Sequence, residues 1–481
     1  LKILIVDTFY GPYLERLYAS GVLIQQPWAS QHKAHFAGGF GTGDAYSHGL
    51  GLLGVEAIEI VANSMPLQRA WAQEYRKELL QLQDSGQQLL SILEAQIRWF
   101  KPTVLYVQDI NWLPAGFLQH VKPLVDIVVG QNACPLAANL DFSPYDLLLT
   151  SLPHYVGKFR AMGVNAAYFP IGFDERLLER HGRDGSRLHA LTFVGGLGGF
   201  HNNGTQVLEA IALKLPLQVW GYGGQQLPVG STLKHRWQGE AWAEDMYGVL
   251  ANSQITINRH IDIAESYANN MRLYEATGMG ACLLTDAKLN LPCLFEPDYE
   301  VVTYTSPEEA ISKLKQLVLN PQLAADIAAR GQARTLKHHI YTRRMEELLA
   351  LLQRHHCQTT VSLTKLPSFQ TLLVACRAEH ADRIPGPLRQ ALLREHLNHR
   401  MTLVSDAPFQ IPALQKMHRW CGSTLALDAV QVRSCLDVMD PDQILIVDDQ
   451  PTGLVPSDWL TQLKQQAEDR QILCTYVRPI A

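Results

Sequence analysis

The stretch Tyr267 to Asp286, YANNMRLYEATGMGACLLTD, gathers the residue types that could hold a nucleotide. Asn269, Asn270, Met271 and Arg272 lie where a polar loop opens a helix over Met271 to Thr277, and Glu275 follows within the first turn and a half. A helix N-terminus carries free backbone N–H groups and the positive end of the dipole, so a diphosphate is welcome there. A carboxylate such as that of Glu275 can accept two hydrogen bonds from a ribose diol. One helix would then hold both the phosphates and the sugar of a nucleotide. The same spacing has a plain structural reading: Arg272 and Glu275 are three residues apart, share a helix face and can form a surface ion pair.

Other candidates flank this stretch. Arg259 follows the expected strand Ile255 to Asn258, and its guanidinium can make two parallel hydrogen bonds to phosphate oxygens; a surface arginine is the alternative. Gly196 closes the strand Leu191 to Gly196 and leads into LGGFHNN, Leu197 to Asn203, whose glycines allow close backbone approach to a ligand. His201 in that loop either faces a phosphate or belongs to the cap of the helix Thr205 to Leu213. Tyr222, leaving the strand in LQVWGYG, can lie against a base. In the N-terminal part, GGFGTGD over Gly38 to Asp44 lacks a GK[ST] ending and does not directly follow a strand, so no phosphate loop is assigned. Asp44 either caps the helix starting at Ala45 or meets an acceptor hydroxyl or donor sugar. His48, one turn later, is a second candidate against the reading of a partly buried helix histidine.

The elements that must position these residues alternate in α/β fashion. Strands are expected at Leu1 to Asp7, Ala57 to Val61, Thr103 to Gln108, Asp126 to Gly130, Tyr145 to Thr150 and near Tyr168, with one long helix over Leu67 to Phe100. Such alternation means right-handed βαβ units and a largely parallel sheet, with ligands beyond the C-terminal strand ends. Polar residues fall there: Gln108 and Asp109, Gln131 and Asn132, Ser151 and His154. Each is an ordinary turn residue by itself, yet their shared position makes this rim a candidate acceptor side. The expected organisation is an N-terminal Rossmann-like domain over 1–173, a charged linker over 174–187, a second Rossmann-like domain over 188–356 and an accessory α/β domain over 357–481. In the last, strands are expected at Thr371 to Cys376, Met401 to Ser405, Thr424 to Asp428, Gln443 to Val447 and Ile472 to Val477. Asp448 and Asp449 there read as the start of a turn or helix rather than a metal site.

Bulk properties narrow the function. With 481 residues, 47% hydrophobic and 18% charged, the chain has an ordinary globular composition and room for several cores. A net charge of −5 without a basic block argues against nucleic acid as partner. No apolar run reaches the roughly 18 residues of a membrane span, and the N-terminal LKILIV runs straight into Asp7, unlike a signal peptide. Eight cysteines without CxxC pairs and 18 histidines without HExxH spacing suggest reduced core cysteines, no structural metal and a cytoplasmic location.

Asn258 to Asp286, together with LFEPDYEVVT (Leu294 to Thr303) and GQARTLKHHIYTRRM (Gly331 to Met345), resembles the C-terminal half of the CgeB-like glycosyltransferases, GT-B enzymes related to glycosyltransferase family 4. The resemblance covers roughly the first 350 residues. It implies a GT-B fold, two Rossmann-like domains facing across a cleft, and Glu275 as the nucleotide-ribose ligand. It also implies transfer from a nucleotide sugar, UDP-linked, to a glycan or protein acceptor, with retention, with the leaving diphosphate taking the acceptor proton, and with no bound metal or other cofactor. The family pattern has a second Glu seven residues before the first, where this chain has Ala268, and Arg and Lys in the region of His201. Those departures leave open a catalytically degenerate scaffold, and a sugar-nucleotide epimerase of the same fold is a further alternative.

Overall fold

The computed structural model describes residues 1–181, 187–198, 202–356, 370–376, 399–405, 418–421, 436, 443–447, 459–470 and 472–477. Three all-parallel sheets organise them. The first holds β1 (Lys2–Asp7), β2 (Glu56–Val61), β3 (Val104–Val107), β4 (Ile127–Asn132), β5 (Leu147–Thr150) and β6 (Ala166–Tyr168) in the order β2-β1-β3-β4-β5-β6. The second holds β7 (His189–Val194), β8 (Gln218–Trp220), β9 (Ser253–Asn258), β10 (Cys282–Asp286) and β11 (Val302–Tyr304) in the order β11-β10-β9-β7-β8. The third, in the C-terminal region, holds β12 (Gln370–Cys376), β13 (His399–Ser405), β14 (His418–Cys421), β15 (Gln443–Val447) and β16 (Leu473–Val477) in the order β14-β13-β12-β15-β16.

Parallel sheets need both faces covered, and β1 shows it. Leu4 and Val6 pack with Ile97, Phe100 and Leu105 on one face, while Ile3 and Ile5 pack on the other with Tyr46 and Leu50. That second face is completed by the helix Tyr341–His356, which crosses back from the second unit and buries Met345, Leu348 and Leu352 there. The crossing is pinned by backbone bonds: Phe173 N donates to His339 O at 2.7 Å and Tyr341 N to Phe173 O at 3.0 Å. Two Rossmann-like sheets face each other across a cleft, the GT-B arrangement, with a third α/β region following.

Several expectations need correction. The long helix over Leu67 to Phe100 is two helices, Met65–Tyr75 and Ser85–Phe100. The chain leaves helical geometry at Arg76, and Asp84 caps the second helix by accepting from Gln87 N at 2.6 Å, so a local aspartate overrides the periodicity. β4 runs on through Gln131 and Asn132, which therefore belong to a strand rather than a turn. In the stretch expected as a linker, Leu177 is buried in the helix Leu177–Arg180 and Arg176 pairs with Asp174 and Asp44 at 2.6 Å each, while Glu179 and Arg180 are exposed. β14 was not expected, and the expected strand Thr424 to Asp428, like Asp448 and Asp449, lies outside the described residues. No helix among the described residues is long and apolar enough to cross a membrane.

Candidate functional site

In an open parallel sheet the ligand crevice forms where the strand order reverses. That point is β1/β3 in the first sheet and β7/β9 in the second. Both open into one cavity of about 520 Å³, lined by Asp7, Thr8, Gln108 and Asp109 on one side and by Val194, Gly195, Gly196, Asn258 and Arg259 on the other.

The wall from the second sheet carries the cations. Arg272 is fixed by Nε donating to Val194 O at 3.1 Å, and its Nη1 lies 2.8 Å from Glu275 Oε2. Glu275 is only 5% exposed, and its Oε1 accepts from the Tyr247 hydroxyl at 3.2 Å. The ion pair expected from the three-residue spacing therefore exists, but it lines the cavity instead of the outer surface. A carboxylate has about four acceptor positions, so two partners leave Glu275 room for a diol. Arg259 also lines the cavity, with Nη2 2.9 Å from Asp262 Oδ1. It lies across Gly204, where a Cβ would overlap its side chain.

The helix N-terminus contributes less than its sequence suggests. The helix Arg272–Gly278 has seven residues, and Asn270 Oδ1 already accepts from Leu273 N at 3.3 Å. Asn270 Nδ2 donates to Asn258 Oδ1 at 2.7 Å and to Arg259 O at 3.2 Å, tying the helix start to the end of β9. Two turns build little dipole, and one of the free N–H groups is taken, so the positive potential on this wall comes from Arg259 and Arg272. Asn270 and Met271 line the cavity; Asn269 is buried and does not.

Aromatic rings also line the cavity. Tyr222 and Trp242 stack with centroids 5.6 Å apart and planes 9° from parallel, and Tyr10 meets Trp242 edge-on at 6.1 Å. The loops after β7 and β8 can close together because Gly221 (φ +140°) has no side chain: a Cβ there would overlap Gly195 O. Trp237, five residues before Trp242, is structural, its Nε1 donating to Gly221 O at 2.9 Å.

The wall from the first sheet is acidic. Asp7 Oδ1 accepts from Thr8 N at 2.7 Å, and the Thr8 hydroxyl donates to Asp109 Oδ2 at 3.1 Å. Asp109 Oδ1 takes Asn111 N at 3.0 Å. Burial pushes the Asp7 carboxyl up to about 7, the Thr8 N–H opposes this, and the charge of Asp109 adds to it. The glycine-rich run contributes Gly39, Phe40, Gly41 and Thr42 to the lining.

Three candidates from this side lie elsewhere. Asp44 precedes the helix Ala45–Leu52 but makes no side-chain cap; its carboxylate is held by Arg176, a partner 132 positions away. His48 is exposed rather than partly buried, and neither residue lines the cavity. Asn132 is fully buried in β4 and also off the cavity. His154 instead stacks on Tyr267 of the second unit at 5.2 Å. His201 lies outside the described residues. Sequence reasoning missed Asp7, Thr42 and the specific role of Trp242. Only the place of Asp7, the polar residue ending an apolar strand, could have signalled it.

Comparison with known proteins places a similarity on the cationic wall. Residues 205–350 match a family described as Glycosyl transferase-like. No protein of curated function matches the chain. Among solved structures, sucrose-phosphate synthase from Thermosynechococcus elongatus is 10% identical, covers 74% of this chain and 100% of its own, and has a TM-score of 0.46. Anabaena HepE in complex with UDP and glucose is 12% identical, with 74% and 100% covered and a TM-score of 0.45. AviGT4, a glycosyltransferase involved in avilamycin A biosynthesis, is 13% identical, with 75% and 99% covered and a TM-score of 0.45. The segment bearing Arg259, Arg272 and Glu275 is thus glycosyl transferase-like in sequence, and it forms one wall of an interdomain cavity.

Proposed function

We propose that the protein transfers a glycosyl group from a nucleotide sugar, UDP-linked, to an acceptor hydroxyl of a glycan or protein. One juxtaposition supports this reading. Arg259, Arg272 and Glu275, all inside the glycosyl transferase-like stretch, line a cavity whose opposite wall carries Asp7 and Asp109. The arginines would meet the diphosphate, where charge grows as the sugar leaves and fixed cations in a partly dry site are most effective. Glu275 would accept from the ribose diol, and the Tyr222–Trp242 pair offers a flat face for the base. An acceptor would enter along the first-sheet wall and be held against the donor, so much of the rate would come from positioning.

The resemblance implies retention of anomeric configuration with the leaving diphosphate taking the acceptor proton, and the proposal carries that reading. The scaffold and epimerase readings remain distinguishable by experiment. With radiolabelled UDP-sugars, the protein is expected to release UDP by slow hydrolysis, and faster with a suitable acceptor. Binding without turnover would favour a scaffold, and isomer exchange an epimerase. Failure to bind any nucleotide sugar would contradict the proposal.

A further inference from the structure

We infer that Tyr247 is a positioning residue for the donor: its hydroxyl holds the Glu275 carboxylate in one orientation, and that orientation selects a nucleotide carrying both ribose hydroxyls. This rests on the nucleotide-sugar reading above.

Glu275 is anchored at both of its oxygens. The Tyr247 hydroxyl donates to Oε1 at 3.2 Å, and Arg272 Nη1 lies 2.8 Å from Oε2. A carboxylate oxygen has about two acceptor positions, so one is left on each. A vicinal diol needs that pattern, with one acceptor for each hydroxyl on a single rigid group. The terminal torsion of a glutamate is by itself broad. Held by Arg272 alone, the carboxylate could turn about that one contact and carry Oε1 out of register with the diol. The tyrosine hydroxyl removes this freedom.

Tyr247 can act as an anchor because its ring is wedged. It lies in the helix Ala243–Ala251, is 2% exposed, and shares an apolar cluster with Phe173, Leu177 and Leu250. The first unit backs it: a Cβ at Gly39 (φ +66°) would lie 3.5 Å from Tyr247 Cε2 and would overlap Leu177. The direction of the hydroxyl is therefore set by packing from both units, and it reaches a residue 28 positions away on another helix. Burial, then the charge of Glu275, raises this hydroxyl well above the ordinary tyrosine range, so it stays protonated and remains a donor.

The two anchors differ in what else they hold. Arg272 also donates to Val194 O and reaches Met246 Sδ, so replacing it disturbs the whole wall. The Tyr247 hydroxyl has Glu275 as its hydrogen-bond partner, so its removal reports on the carboxylate.

The test is Tyr247→Phe, which removes one oxygen and keeps the packed ring, read by calorimetric titration of UDP and of 2′,3′-dideoxy-UDP. Wild type is expected to bind UDP about a hundredfold more tightly than the dideoxy nucleotide. In Tyr247→Phe, UDP affinity should fall about fivefold while dideoxy affinity stays within about twofold, so the preference drops to about twentyfold. In a Glu275→Ala background the same substitution should change neither affinity by more than about twofold. Equal weakening of both nucleotides would mean a purely structural role and overturns the inference, as does UDP affinity within about twofold of wild type. A wild type with no preference between the nucleotides removes the ribose contact, and the inference with it, while leaving the nucleotide-sugar reading intact. A wild type that binds neither UDP nor a UDP-sugar overturns both.

Discussion

Glu275→Ala is expected to weaken UDP binding about a hundredfold. A carboxylate accepting hydrogen bonds from a diol contributes roughly 1.5–3 kcal/mol per bond, and 1.4 kcal/mol is tenfold in Kd. The fold should survive, because Arg272 keeps Val194 O at 3.1 Å and Met246 Sδ at 3.0 Å when its carboxylate partner goes. Glu275→Gln separates charge from shape. It retains an acceptor for the Tyr247 hydroxyl and should lose about tenfold. Calorimetric titration of UDP and of uridine into both variants checks this. Uridine affinity should fall with UDP affinity, since the lost contact is to the ribose; equal UDP affinity in Glu275→Ala and wild type would contradict the assignment.

Arg344→Met is expected to lower the thermal midpoint by roughly 10 °C, the largest stability effect predicted for a single residue. Arg344 is 1% exposed and joins the two units: Nε donates to Ile171 O at 2.9 Å, Nη1 lies 2.9 Å from Glu347 Oε1, and Nη2 is 2.8 Å from His339 Nδ1. Burial, then the charges of Arg344 and Arg334, hold His339 well below the usual histidine range, so its ring is neutral. With Nε2 donating to Leu294 O at 2.8 Å, Nδ1 is left as the acceptor for Arg344. Methionine fills the space but strands the buried ring nitrogen, a carbonyl and a carboxylate. Breaking one side of such a buried pair costs about 3–5 kcal/mol, and each kcal/mol moves the midpoint by about 2–4 °C in domains of this size. Glu347→Gln keeps an oxygen acceptor for Arg344 Nη1 and leaves the bonds to Ile171 O and His339 Nδ1 in place, so it should shift the midpoint much less. Differential scanning calorimetry of the two variants gives the comparison; a shift below about 2 °C for Arg344→Met would contradict the role given to this arginine.

What could be read from the sequence followed the range of the interactions involved. Strands such as β1 and β3 were legible because their apolar residues are local and continuous. That Arg259, Asn270, Arg272 and Glu275 come together was legible because they lie within 17 positions of one another, and they line one cavity. Asp44 was misread because its partner, Arg176, is 132 positions away, so nothing local distinguishes it from a cap. Asp7 was passed over for the same reason: Asp109, which shares Thr8 with it, comes a hundred residues later and arrives only when β3 pairs with β1. Asn132 failed differently, since its polar side chain suggested a strand end where β4 in fact continues. The weak point of the helix-terminus argument was length, because Gly278 and Gly280 stop that helix after two turns.

The central claim is that the two sheet reversal points share one nucleotide-sugar cavity. Crystals soaked with a UDP-sugar test it most directly. The account predicts diphosphate density between Arg259 and Arg272, ribose within hydrogen-bond reach of Glu275, and the sugar ring turned toward Asp7. Density for the nucleotide outside this cavity, or ribose remote from Glu275, would contradict it.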